Sequence, residues 1–103
     1  MNYMYIGSVS GHSTNPSEPD TLTIFLHDPD EAKKPPVMLT ARGTLAQYIH
    51  ELDCTDHEEK SMRKRFHYNS FCVLQKVEVL DYKSSTHAVK TVTEGSDFSE
   101  FID

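Results

Sequence analysis

The sequence predicts an α+β domain, with a mainly antiparallel sheet of about five strands and two short helices on one side of it. Three observations indicate this class. β-like segments lie towards both ends of the chain, two helix-start patterns lie between them, and 103 residues are enough for one domain. The expected order is β-β-β-α-α-β-β. We expect residues 1–93 to form a single domain and residues 94–103 to form an acidic C-terminal tail.

Three β-like segments precede the predicted helices. Residues 3–9 are rich in aromatic and β-branched side chains, which favours a first strand. Residues 10–20 are nearly all turn formers and predict a long surface loop. Apolar and polar residues alternate over 21–27, as in a half-buried strand, and a short third strand is predicted over 37–41.

Two capping-box patterns predict two consecutive helices. Thr44 is followed three residues later by Gln47, and Thr55 is followed in the same way by Glu58. The first helix has one apolar stripe, made of Leu45, Tyr48, Ile49 and Leu52. In the second, acidic residues come first and basic residues come last, as far as Arg65, which suits the helix dipole.

The longest β-like run covers residues 71–82 and is apolar on both faces. That pattern predicts a central strand, or a bulge near Gln75 and Lys76. We expect Cys72 to be a buried and inert thiol within this strand. A turn at 83–85 would then return the chain as a partner strand over 86–93.

Charge and cysteine content restrict the partners and the compartment. Sixteen acidic residues against ten basic ones give a formal charge of −6, which disfavours non-specific phosphate binding. Two cysteines do not make a disulfide scaffold. There is neither a secretory signal nor an apolar run long enough to span a bilayer. We therefore expect a cytoplasmic protein that has free thiols and no contact with a membrane.

One basic cluster, with aromatic residues beside it, could grip a nucleic-acid backbone and stack a base. Its members are Lys60, Arg63, Lys64, Arg65, Phe66 and Tyr68. The alternative interpretation is a helix C-terminus whose charge suits its dipole and is balanced by the acidic residues before it. The second interpretation is favoured, because one cluster in an acidic protein is a weak nucleic-acid signal.

His50, Cys54 and His57 would share a face of one continuous helix, as ligands of a zinc ion should. The second capping box indicates that the helix breaks between Cys54 and His57, which would scatter these side chains. A further ligand, such as His12 or His27, could come only through the tertiary fold. We therefore expect no metal site and no cofactor.

The C-terminal tail alternates acidic residues with apolar anchors. Its candidate partner-binding residues are Glu94, Asp97, Phe98, Glu100, Phe101, Ile102 and Asp103. Without those four acidic residues the chain would have twelve acidic and ten basic residues, so much of the net charge belongs to the tail. Such a segment could dock into a basic groove on a partner. The alternative is a terminus that frays or folds back on its own sheet.

The sequence contains no nucleophile motif and no glycine-rich phosphate loop. We therefore expect a small, acidic, non-enzymatic domain that binds another protein. It would act as an inhibitor or as a phage, viral or regulatory accessory protein, by steric blocking or by imitating the charge of nucleic acid on a nucleic-acid-binding enzyme. A homodimer through Val- and Thr-rich edge strands is a further expectation. The competing hypothesis is a small nucleic-acid-binding or metal-dependent module.

Overall fold

Six antiparallel strands and two short helices form an α+β fold in the computed structural model, which describes residues 2–81 and 87–95. The elements are β1 (Asn2–Thr14), β2 (Thr21–His27), β3 (Val37–Arg42), α1 (Gly43–Cys54), α2 (His57–Ser61), β4 (Lys64–Asn69), β5 (Leu74–Leu80) and β6 (Ala88–Thr93). The strand order is β3-β2-β1-β4-β5-β6. The predicted fold class is confirmed, with one strand more than expected.

Strand β1 is the long element that joins the two halves of the sheet. Its residues 2–7 pair with β4, and its residues 8–14 pair with β2. A bulge between Val9 and Gly11 follows the change of partner. The predicted loop over 10–20 is therefore wrong for residues 10–14. Small polar residues there are held in the strand by pairing with β2, so local turn preference did not decide their conformation.

The sheet curls until its β3 edge meets the segment that precedes β5. The backbone N–H of Thr40 donates a hydrogen bond to the carbonyl of Cys72 at 2.8 Å, and Thr40 forms a parallel bridge with Val73. Helix α1 packs against β1, β2, β3, β5 and β6. The apolar stripe predicted for α1 is buried, with Leu45 and Ile49 fully covered. This curled sheet and its helix enclose the hydrophobic core.

Helix α1 begins at Gly43, so Thr44 is not its N-cap as predicted. Arg42 is the N-cap and makes no side-chain capping hydrogen bond. Gly43 adopts a φ of 55°, which glycine tolerates, and its N–H donates to the carbonyl of Asp20 at 3.2 Å. No helix within the described ranges is both long and apolar enough to cross a membrane.

The second helix is much shorter than predicted. Asp56, rather than Thr55, is its N-cap and accepts a hydrogen bond from the N–H of Glu59 at 3.0 Å. The helix ends at Ser61, and β4 begins at Lys64. The order of acidic and basic residues predicted a helix as far as Arg65, but residues from Lys64 onwards form a strand. Lys64 and Phe66 both point into the interior from this strand.

Lys64 is fully buried although lysine is normally a surface residue. Its ammonium donates to the carbonyls of Glu59 at 2.6 Å, Lys60 at 3.1 Å and Met62 at 2.6 Å. Burial lowers the pKa of Lys64 to about 8, so most molecules still carry the charge at pH 7. The side chain thus ties the C-terminal end of α2 to the sheet.

Cys72 was predicted inside a strand, but it is exposed and lies in the turn between β4 and β5. Its φ is 59°, and its N–H donates to the carbonyl of Asn69 at 3.0 Å. The Asn69 side chain accepts hydrogen bonds from the N–H groups of Phe71 and Val73. This asparagine-centred turn interrupts the apolar run, and β5 starts only at Leu74. The turn predicted at 83–85 lies outside the described residues.

Candidate functional site

The C-terminal end of α1 carries two side chains that can ligate a metal and one carboxylate. His50 and Cys54 are four residues apart and therefore lie on one face of the helix, with Asp53 beside them. His12, on the part of β1 that pairs with β2, lies against this end of the helix. The fold thus joins donors that are 38 or more residues apart in the sequence.

The donor atoms of His12, His50 and Cys54 all lie within 4.8 Å of one another. Cys54 Sγ is 3.8 Å from His50 Nε2, and the two imidazole rings are edge to face with their centroids 5.0 Å apart. In a tetrahedral zinc site, the bond lengths imply a nitrogen-to-sulfur separation of about 3.6 Å. His50 and Cys54 already have nearly this spacing. Small side-chain rotations would therefore let the donor atoms of His12, His50 and Cys54 reach one ion.

Asp53 fixes the orientation of His12. One carboxylate oxygen hydrogen-bonds to Nδ1 of His12, and the other accepts from the ammonium of Lys60 at 2.6 Å. Burial opposes ionisation of Asp53, but the bonds from Lys60 and His12 outweigh it and hold the pKa of the carboxyl below its ordinary value. Because Nδ1 of His12 is engaged, Nε2 is the ring nitrogen that remains for a metal.

This cluster is reachable from solvent. His50 and Cys54 are exposed, and His12 is partly buried. His50 also lines an open cavity of about 330 Å³ between α1 and the start of β2, with the acidic residues Asp20 and Glu51 on its wall. Three protein donors leave one position of a tetrahedral ion for water or for an external ligand.

The predicted helix break was expected to scatter His50, Cys54 and His57, but the structure keeps His50 and Cys54 together on α1 and separates only His57 from them. His57 begins α2, after the break that the capping pattern predicted, and it is not in the cluster. His12 takes that place through strand pairing. His12 lies in a stretch that is typical of a surface loop, so the sequence could name it only as one ligand, beside His27, that the tertiary fold would have to supply.

Three of the four cations of the predicted nucleic-acid segment are engaged with acidic partners, and the fourth, Lys64, is buried on backbone carbonyls. Arg63 donates to Asp28 at 3.1 Å, and Arg65 binds Glu78 at 3.2 Å. Lys60 belongs to Asp53, as described above. These contacts within the fold neutralise much of the charge that a phosphate backbone would need.

Two further members of that segment, Phe66 and Tyr68, lie on the same face of β4, the face that packs on the core. Phe66 is fully buried in the core, where no base can stack on it. Tyr68 is partly buried, and its ring stacks against Tyr3 with centroids 5.6 Å apart. Together with the buried Lys64, Phe66 leaves only part of the segment at the surface.

Of the predicted partner-binding residues, only Glu94 is described, in an exposed turn directly after β6. Asp97, Phe98, Glu100, Phe101, Ile102 and Asp103 lie outside the described residues.

Among the described side chains, the imidazole and thiolate donors of the His12, His50 and Cys54 cluster make a set typical of zinc and of other borderline or soft metals. No protein-family model, curated protein or solved structure matches this chain.

Proposed function

We propose that this chain is a metal-binding domain that holds one zinc ion through His12, His50 and Cys54. The observation that carries the proposal is the convergence of three donor atoms within 4.8 Å, from a strand and a helix far apart in the sequence. Zinc favours nitrogen and sulfur ligands at tetrahedral angles, and the 3.8 Å sulfur-to-nitrogen distance fits that geometry.

The contacts of Asp53 support a ligand role for His12. Metal-binding histidines commonly present their second ring nitrogen to a carboxylate, which sets the tautomer and raises the basicity of the ligating nitrogen. The side chains of His12 and Asp53 are only 16% and 12% exposed, so the pair is held firmly. The position of the cluster at the C-terminal end of α1 also favours a cation, because the helix dipole is negative there.

Zinc loading tests this proposal directly. After equilibration with zinc and removal of the excess, elemental analysis of the full chain should find about one zinc per molecule, and His50→Ala or Cys54→Ser should bring it to background. Cys72→Ser and His57→Ala are matched controls that should keep full loading. Zinc at 100 times its Kd should add about 2.7 kcal/mol to the unfolding free energy of the wild type. Zinc-free wild-type protein, or equal loading of Cys54→Ser, would refute the proposal.

Asp53 is a positioning residue in this proposal, and Asp53→Asn separates its role from a structural one. The variant should still load zinc at saturation, but with an affinity about 10–100-fold lower. Lys60→Met is the matched control, because it removes the other partner of Asp53 and leaves His12 bonded. An unchanged zinc affinity in Asp53→Asn, combined with a lower melting temperature, would show a structural ion-pair role only.

Partner binding through the acidic tail is a second candidate function. The chain would be a small, acidic, non-enzymatic domain that acts as an inhibitor or accessory protein by steric blocking or charge mimicry. The net charge of −6 and the four acidic residues over 94–103 support it. The acid-paired state of Lys60, Arg63 and Arg65 favours it over nucleic-acid binding. A homodimer through Val- and Thr-rich edge strands stays a prediction, and β6 is one strand of this composition at an edge of the sheet.

Truncation after Thr93 tests this second function. The truncated chain ends with β6 intact, so we expect it to fold and to load zinc as the full chain does. In a pull-down from native lysate with identification by mass spectrometry, a partner retained by the full chain should be lost. Substitution of Asp97, Glu100 and Asp103 by asparagine or glutamine should give the same loss if charge is responsible. Unchanged capture by the truncated chain would remove the tail from the function.

A further inference from the structure

A second cavity, of about 270 Å³, lies between α2 and the paired strands β1 and β2. Ser8 of β1 and His27 of β2 face each other in the strand register at its base. His57 and Lys60 of α2 contribute to its wall. None of these four side chains belongs to the zinc cluster, although Lys60 reaches it through Asp53.

Two residues of the cavity wall, Ser8 and His27, carry buried polar atoms that have unused hydrogen-bonding capacity. Ser8 is 6% exposed, and within the described ranges its Oγ has no hydrogen-bond partner. Nδ1 of His27 is also buried without a partner there. Buried polar side chains are normally satisfied, so two such atoms on residues that line one cavity indicate a polar ligand close to them.

The polar groups around the cavity favour a negatively charged ligand. The hydroxyl of Ser8, the imidazoles of His27 and His57 and the ammonium of Lys60 can all donate hydrogen bonds. No carboxylate is part of the cavity wall, as far as the described residues show. Two carboxylates lie near the wall, and both are already paired. Asp53 of α1 forms an ion pair with Lys60, and Asp28, next to the wall residue Pro29, forms ion pairs with Arg63 and Lys34.

We propose that this cavity binds a small oxyanion, a phosphate or carboxylate group, on Ser8 and His27. Ser8 Oγ and His27 Nδ1 are covered in the free protein, so each side chain turns towards the cavity to donate its O–H or N–H to the anion. Lys60 supplies positive charge at the mouth and is shared between Asp53 and the anion, and His57 offers a further ring nitrogen there. The site goes beyond the proposed metal-binding function, because no metal ligand touches the anion.

Titration with inorganic phosphate, and separately with acetate, tests the site in metal-free full-length protein at constant ionic strength. Two-dimensional nitrogen–proton NMR should show saturable shifts of the backbone amides of Ser8, His27 and His57. A phosphate response without an acetate response assigns a phosphoryl ligand, and the reverse assigns a carboxylate. Ser8→Ala should weaken binding about 10–100-fold, as expected for loss of one hydrogen bond to a charged group. Ser10→Ala, on the same strand but exposed, should bind as the wild type does.

Two further variants keep the outcome clear. Cys54→Ser removes the zinc cluster, so undiminished anion binding in this variant separates the two sites. Lys60→Met should weaken anion binding without unfolding α2, as its amide spectrum would show. Equal affinity in the wild type and Ser8→Ala, shifts confined to other residues, or a response no larger than that to chloride would overturn the proposal. Any of these results would show that Ser8 and His27 do not bind an oxyanion in this cavity.

Discussion

Replacing Gly7 by alanine is expected to lower the free energy of unfolding by about 3 kcal/mol. Gly7 is buried at the point where β1 exchanges β4 for β2 as its partner. A Cβ at this position would lie 2.8 Å from Cε1 of Tyr5 and 3.0 Å from the carbonyl carbon of His27, with the carbonyl oxygen closer still. The backbone of His27 cannot move aside without breaking its pairing with Ser8.

Gly11→Ala is the matched control for this prediction. Gly11 lies at the bulge on the same strand, and a Cβ there would meet no atom within 4 Å. Its unfolding free energy in urea, followed by circular dichroism, should stay within about 0.5 kcal/mol of the wild type. Equal stability of Gly7→Ala and the wild type would show that Gly7 does not lie as close to the backbone of His27 and the ring of Tyr5 as described.

The Gly7 substitution also links the fold to the proposed sites. Ser8 follows it directly, and His12 lies further along the same strand, so a displaced β1 should weaken both oxyanion and zinc binding. Gly11→Ala should leave both intact. Zinc loading and the phosphate titration on the two glycine variants would therefore report whether the close packing of β1 at Gly7 positions the functional side chains.

The fold class was readable from sequence because its signals are local. The alternation over 21–27 and the apolar stripe of α1 each belong to one element, and both were predicted correctly. The extension of β1 to Thr14 depends on distant residues. Residues 10–14 favour turns by composition, and only pairing with β2 makes them a strand.

The candidate site shows the same contrast between local sequence signals and long-range strand pairing. The spacing of His50 and Cys54 on a helix is a local pattern and was recognised, whereas His12 depends on the bulge and register of β1. Ser8 and His27 gave no signal at all, because a serine and a histidine on separate strands meet only through strand pairing. Asp53 could be placed on α1 from the sequence, but its two partners could not.

Lys64 was misassigned for a different reason. A lysine among basic residues suggests a solvated helix end, and burial of a charged side chain is rare. Only the position of three carbonyl oxygens around the ammonium makes that burial tolerable, and those oxygens come from the end of α2 and the residue after it. Sequence periodicity does not report such backbone acceptors.

Lys64→Met should lower the free energy of unfolding by about 3 kcal/mol, although methionine fills a similar volume. The thioether cannot donate, so the carbonyls of Glu59, Lys60 and Met62 lose their shared donor inside the protein. Amide hydrogen exchange over 57–61 should accelerate more than exchange in β2, because α2 loses its anchor to β4. Lys33→Met, an exposed lysine in a turn, is the matched control and should stay within about 0.5 kcal/mol of the wild type.

The Lys64 variant also separates the two proposed sites. Helix α2 supplies His57 and Lys60 to the oxyanion cavity, whereas the zinc donors lie on β1 and α1. Where Lys64→Met still folds, phosphate affinity should fall several-fold while zinc loading stays near one per chain. Unchanged exchange over 57–61 together with wild-type stability would show that the three carbonyls do not depend on Lys64. The anchoring of α2 would then have to come from elsewhere, and the contacts to test next are those of Glu59 with Tyr48 at 2.6 Å and with Lys90 at 3.1 Å, and that of Lys60 with Asp53.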